Sequence, residues 1–156
     1  MESGALTTDS KSTNTLTDVN TVGTDTTNYK EGSASALFTS ANSEMLTITD
    51  ANLVAGFPLK SGDATKIISV CMRVRFTSFI DTALGVNEIF SKWNSSNARS
   101  WRGYVETISS VSKFYIGHGF NSGASNESYT GHGTALATGT WYHVTFIYNG
   151  DATKAY

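Results

Sequence analysis

In "KIISVCMRVRF", Ile68, Val70, Met72, Val74 and Phe76 fall on one side of an extended chain, and Ser69, Cys71, Arg73 and Arg75 fall on the other. A period of two with one apolar side predicts a strand that lays one face on a core. "KFYIGHGF" repeats the pattern, with Phe114, Ile116, His118 and Phe120 opposing Lys113 and Tyr115. "WYHVTFIY" is apolar on both sides and predicts a central strand covered on both faces. Shorter strands are predicted in "SALFTS", "EMLTITD", "NEIFSKW" and "WRGYVET", and one more near Leu16 to Val19. No stretch holds helical periodicity beyond a turn or two. "DANLVAGFP" accommodates one helical turn with Asp50 as its N-cap.

Turn signals separate these runs at short intervals: "SGDA", "SSNARS", "NSGASN", "GHGT", "ATGT" and "YNGD". Residues 1–30 differ, being polar, loop-rich and poor in large apolar side chains. There is no internal repeat. Many short alternating runs with frequent turns predict an all-β fold, a sandwich of antiparallel strands. The length of 156 residues suits a single domain spanning 1–156 with its own core.

Composition sharpens that picture. Charged residues make up only 15% of the chain, so Thr, Ser and Asn must supply the surface polarity. A net charge of −2 leaves no cluster of Lys and Arg for nucleic acid or an anionic membrane. No apolar run approaches the roughly 20 residues that a helical membrane span needs. The start "MESGALTTDSK" has neither the basic nor the apolar part of a signal peptide. The single cysteine, Cys71, cannot close an internal disulfide or build a cysteine-based zinc site. Its place in an apolar strand predicts an inert core thiol.

Candidate chemistry is sparse. His118 and His143 lie in predicted core strands and read as hydrogen-bonded structural histidines; His132 falls in the loop "TGHGT". Motifs for a zinc protease, an EF-hand or a nucleophile elbow do not occur. Glu88 and Glu106 are the only carboxylates with an arguable glycosidase geometry, for which a retaining pair needs about 5 Å. "NSS" at Asn94 and "NES" at Asn126 fit the glycosylation pattern and mark surface loops. The strongest constellation is aromatic and basic. Arg73, Arg75, Arg102, Tyr104 and Tyr115 share the less apolar parity of their strands, and Trp93 and Trp101 flank the loop "NSSNARS". A flat aromatic stacks on the C–H face of a sugar while Arg, Asn or Glu bond its hydroxyls. The competing reading makes the tryptophans core or rim packing and the cations a solvated outer face.

Several segments resemble the concanavalin A-like, or laminin G-like, jelly rolls. "SASALFTSANSEMLTITD" is similar to the opening strands of that family, and "ISVCMRVRFTS" to the long strand that follows. "NEIFSKWNSSNARSWRGYV" is similar to its next strand, polar loop and strand. "LATGTWYHVTFIYNGDATKAY" resembles its most recognisable segment. Arg73 stands where the family usually has Trp, and Met45 where it often has Tyr. The resemblance implies a two-sheet antiparallel jelly-roll sandwich in which Trp141, opening the most family-like strand, is buried.

In function it implies a non-catalytic recognition or adhesion module, with carbohydrate as the ligand class and a glycan or surface protein as partner. The setting it implies is extracellular or virion-associated, within a longer polypeptide. A structural spacer of a virion or surface assembly is the alternative, and a glycoside hydrolase of the same fold the third reading. No cofactor is expected. Some members bind structural calcium, and Asp9, Asp18 and Asp25 stand in the N-terminal loop region without a calcium-loop spacing. Both ends resemble the interior of the family pattern, as a fragment of a longer reading frame would. Asn149-Gly150 is expected to form a two-residue type I′ turn, with the returning strand beginning near Ala152.

Overall fold

The computed structural model describes residues 4–11, 14–62, 67–80, 85–92, 101–119, 127–149 and 153–155. The chain is all-β with antiparallel sheets. It divides into two compact units, Met1–Thr65 and Lys66–Tyr156.

The N-terminal unit holds four three-residue strands: β1 (Thr17–Val19), β2 (Gly23–Asp25), β3 (Ser35–Leu37) and β4 (Met45–Thr47). They pair as β1–β4 and β2–β3. Such short ladders hold little by themselves, and side-chain caps on loop amides reinforce them. Asp18 accepts from the Val22 amide, and the Asn20 side chain donates to the carbonyls of Asn42 and Ser43. Asn20 and Thr21 both take positive φ at the turn between β1 and β2. The single turn at Asp50–Asn52 is 3-10, with Thr49 rather than Asp50 at its N-cap. The Asp50 carboxylate instead accepts from the Ser61 amide.

The C-terminal unit contains β5 (Ile68–Arg75), β6 (Val86–Lys92), β7 (Trp101–Ile108), β8 (Val111–Gly119), β9 (Glu127–Gly131), β10 (Trp141–Tyr148) and β11 (Thr153–Ala155). β6-β7-β8-β9 form a four-stranded meander, and β11-β10-β5 a three-stranded sheet. An aromatic layer joins them. Phe90 on β6 and Phe114 on β8 meet Phe146 on β10 edge-on, with centroids at 5.0 and 6.0 Å. Trp101 on β7 stacks towards Tyr148. Val105, Ile116, Val144 and Phe146 are sealed within this layer.

Two local devices set which side chains enter that core. A bulge between Glu88 and Phe90 inserts one residue, so Phe90 points inward although Glu88, two positions earlier, points outward. Gly103 then leaves room for the Phe90 ring, which a Cβ there would strike. The β7–β8 hairpin closes on Ser109-Ser110, both at positive φ, with Ile108 facing Val111. This is a two-residue turn of the primed class, made without glycine.

The β10–β11 register pairs Tyr148 with Thr153, leaving four residues between them. A two-residue turn on Asn149-Gly150 would instead pair Tyr148 with Asp151. Trp141 is half-buried, facing Arg75 across the ladder on the outer side of its sheet. The inward parity of β10 belongs to Tyr142, Val144, Phe146 and Tyr148. "WYHVTFIY" is central in its sheet, as expected, but its outer side carries an exposed His143.

Candidate functional site

Of the seven candidate ligand residues, the six that are described separate onto two outer faces and the core. Arg73 and Arg75 stand on the outer face of β5, in the three-stranded sheet; Arg102, Tyr104 and Tyr115 stand on the outer face of the four-stranded sheet. Parity along a strand specifies a face, and pairing specifies the sheet. β5 pairs with β10, not with β7 or β8, so a shared parity did not mean a shared surface. Trp101 has the opposite parity to Arg102. It is 5% exposed and packed against Phe90 and Tyr148, a core residue rather than a ligand contact. Trp93, with Asn94 and Asn126, lies outside the described residues.

What remains on the four-stranded sheet is a coherent row. Glu88, Tyr104, Tyr115 and Gly131 are successive cross-strand partners on β6, β7, β8 and β9. The Tyr104 and Tyr115 rings stack at 5.5 Å with planes 16° apart. Glycines allow those rings to lie across the sheet. A Cβ at Gly131 would come within 2.5 Å of the Tyr115 ring, and one at Gly117 would touch Tyr104 and Arg102. The Arg102 guanidinium lies 4.3 Å from the centroid of Tyr104, a cation–π contact. It also donates to Glu88 Oε2 at 3.4 Å. The parity of Tyr104 points it outward, yet it is not exposed. Held between Tyr115 and Arg102, it is only 3% exposed. Tyr115 is half-buried.

Two acids on this face are Glu88 and Glu106. Glu106 faces Val86 on β6, so the two carboxylates are diagonal neighbours. Burial raises the Glu88 carboxyl above its ordinary range, and the attraction of Arg102 offsets this only in part. Lys113 faces Glu106 from β8.

The outer face of the three-stranded sheet holds what the sequence reading missed. Cys71 is exposed rather than a core thiol, and His143 is exposed beside it. Cys71 Sγ and His143 Nε2 are 2.9 Å apart, and the Thr145 hydroxyl donates to the same sulfur at 3.4 Å. The signal was present: Cys71 shares the parity of Ser69, Arg73 and Arg75, the polar side of its strand. The partner could not be read, because His143 arrives from 72 residues away. Arg75 Nε donates to the Gly139 carbonyl at 3.0 Å. His132 is half-buried, and its Nδ1 accepts from the Thr134 amide.

In the N-terminal unit the three aspartates act as loop staples. Asp9 accepts from the amides of Lys11 and Asn14, Asp18 from Val22, and Asp25 from Thr27 and Asn28. Among the described residues no three metal-ligating side chains gather. No family model, curated protein or solved structure matches the chain.

Proposed function

We propose that the chain is a non-catalytic carbohydrate-recognition module, built on a two-sheet jelly roll of the concanavalin A-like kind. It works as part of a surface, secreted or virion-associated assembly. The binding face is the outer side of β6–β9, centred on Tyr115, with Arg102 and Glu88 as hydrogen-bonding partners. One observation carries this reading: Tyr115 lies flat on Gly131 and stacks on a buried Tyr104, so an aromatic plane is fixed beside a polar pair. A ring already immobilised gives up little entropy when a sugar stacks on it. The fold reading is supported by the meander facing a three-stranded sheet across an aromatic layer. Arg73 and Arg75 have no part in this site.

The second reading, a structural spacer, has its own support. Arg102 is already engaged with Glu88 and with the Tyr104 ring, as an internal staple would be.

Glycan-array screening of the chain, followed by calorimetry on the best hit, separates the two. The recognition reading expects binding that Tyr115→Ala and Arg102→Ala each reduce at least about tenfold, roughly the 1.4 kcal/mol within reach of one stacking or charged contact. Arg73→Ala should leave that affinity unchanged. Absence of glycan binding by a folded chain, or binding indifferent to Tyr115→Ala, sinks it in favour of the spacer.

A further inference from the structure

We infer that Cys71 is a reactive thiol, served by His143 as its base, that forms a mixed disulfide with an anionic low-molecular-weight disulfide. The site lies on the other outer face from the proposed glycan surface and does not depend on that reading. It joins a nucleophile and a base rather than presenting an isolated cysteine, and both side chains are exposed.

The ladder explains why the two meet. Thr145 sits directly opposite Cys71, and His143 directly opposite Arg73, so His143 is diagonal to the sulfur on the same face. The Thr145 hydroxyl donates to Sγ from one side. In the tautomer of His143 that leaves Nε2 without a proton, the thiol donates to Nε2, 2.9 Å away. A nucleophile within hydrogen-bond reach of a base is the arrangement that activates a thiol. The face is also cationic. β5 contributes Arg73 and Arg75 to it, and neither β5 nor β10 contributes a carboxylate. Arg73 is exposed two positions along the strand from Cys71, where its charge attracts an anionic reagent.

The reaction balances without a further oxidant. His143 takes the Sγ proton, and the thiolate attacks one sulfur of the incoming disulfide. A new bond forms to Cys71 as the reagent's own S–S bond breaks. The departing thiolate then takes the proton from His143. Cys71 is oxidised, and one half of the reagent is reduced to its thiol.

The probes are 5,5′-dithiobis(2-nitrobenzoate), an anionic disulfide, and 2-hydroxyethyl disulfide, a neutral one. Cys71 is the only cysteine, so mass spectrometry assigns any adduct to it. The folded chain should react with the anionic probe faster than the same chain unfolded in urea. His143→Ala should slow both reagents on the order of tenfold, the loss expected when a thiol loses its base. His143→Gln provides a second variant that keeps a polar group, and should be equally slow. Arg73→Gln should slow only the anionic reagent. A folded chain no faster than the unfolded one overturns the proposal. So does a His143→Ala or His143→Gln rate equal to the parent's with the fold intact by circular dichroism. Equal slowing of both reagents by Arg73→Gln overturns the assignment to anionic disulfides.

Discussion

On the outer face of the four-stranded sheet Tyr104 is sealed to 3% exposure, whereas on the outer face of the three-stranded sheet Cys71, Arg73 and His143 all stand in solvent. Both faces follow the same alternation along their strands, and both turn away from the shared aromatic layer. They differ in their neighbours. β8 and β9 offer Gly117 and Gly131, where a tyrosine ring can lie down across the next strand. β5 and β10 contain no glycine and so offer no such seat. Burial on an outward face is thus decided by the cross-strand partner as much as by the residue itself.

The sharpest test of this contrast deletes one side chain from each face. Tyr104→Ala should cost about 3 kcal/mol, within the range for truncating a buried aromatic. His143→Ala, exposed and without packing duties, should fall within about 0.5 kcal/mol of the parent. Urea unfolding of both variants gives the comparison, and equal costs would show that the two faces do not differ in the way described.

A smaller effect should follow from restoring a Cβ under a ring. Gly131→Ala places a methyl 2.5 Å from Tyr115 Cε1 and forces the ring off the sheet, at about 1–3 kcal/mol. Gly133, two residues on, has open space around it, so Gly133→Ala should be nearly silent. If thermal melts rank the two alike, the rings do not depend on their glycine seats.

The smallest effect concerns charge. The native state holds the Glu88 proton more tightly than the unfolded chain, because burial outweighs the help of Arg102. Its contribution favours the fold below the ordinary carboxylate value of about 4.3 and is lost as pH rises through the raised one. Glu88→Gln stays neutral throughout, so its stability relative to the parent should rise across that window and then level off. The change should be on the order of 0.5 kcal/mol, the scale of a partly exposed ion pair. A difference between the two proteins that does not vary with pH would contradict this account.

The sequence reading found the long strands because periodicity of two is a local property. β5 and β10 lie within the runs expected of them, and β6, β7 and β8 overlap theirs, extending one or two residues beyond at one end. β2 and β9 escaped, since "GTD" and "ESYTG" carry no clear alternation. The Ser109-Ser110 turn escaped too, because serine gives a weaker turn signal than the glycine that usually takes positive φ. The candidate site was half legible. Arg102, Tyr104 and Tyr115 do come together, on adjacent strands of a sequential meander. Arg73 and Arg75 do not join them, because their sheet is completed by a distant strand. Cys71 was placed on the correct face and given the wrong environment: the polarity of its neighbours was a better guide than the burial habit of cysteine.

That distant pairing has a consequence in time as well as in space. In the meander each strand meets its partner as soon as the next segment is made. β5 has to wait for β10, some 72 residues downstream by the spacing of Cys71 and His143. At translation rates of about 5–20 residues per second, β5 waits roughly 4–14 s for its partner. During that interval the backbone edge that β10 later pairs stays open. β5 is therefore the long strand of this unit most open to wrong edge pairing during synthesis.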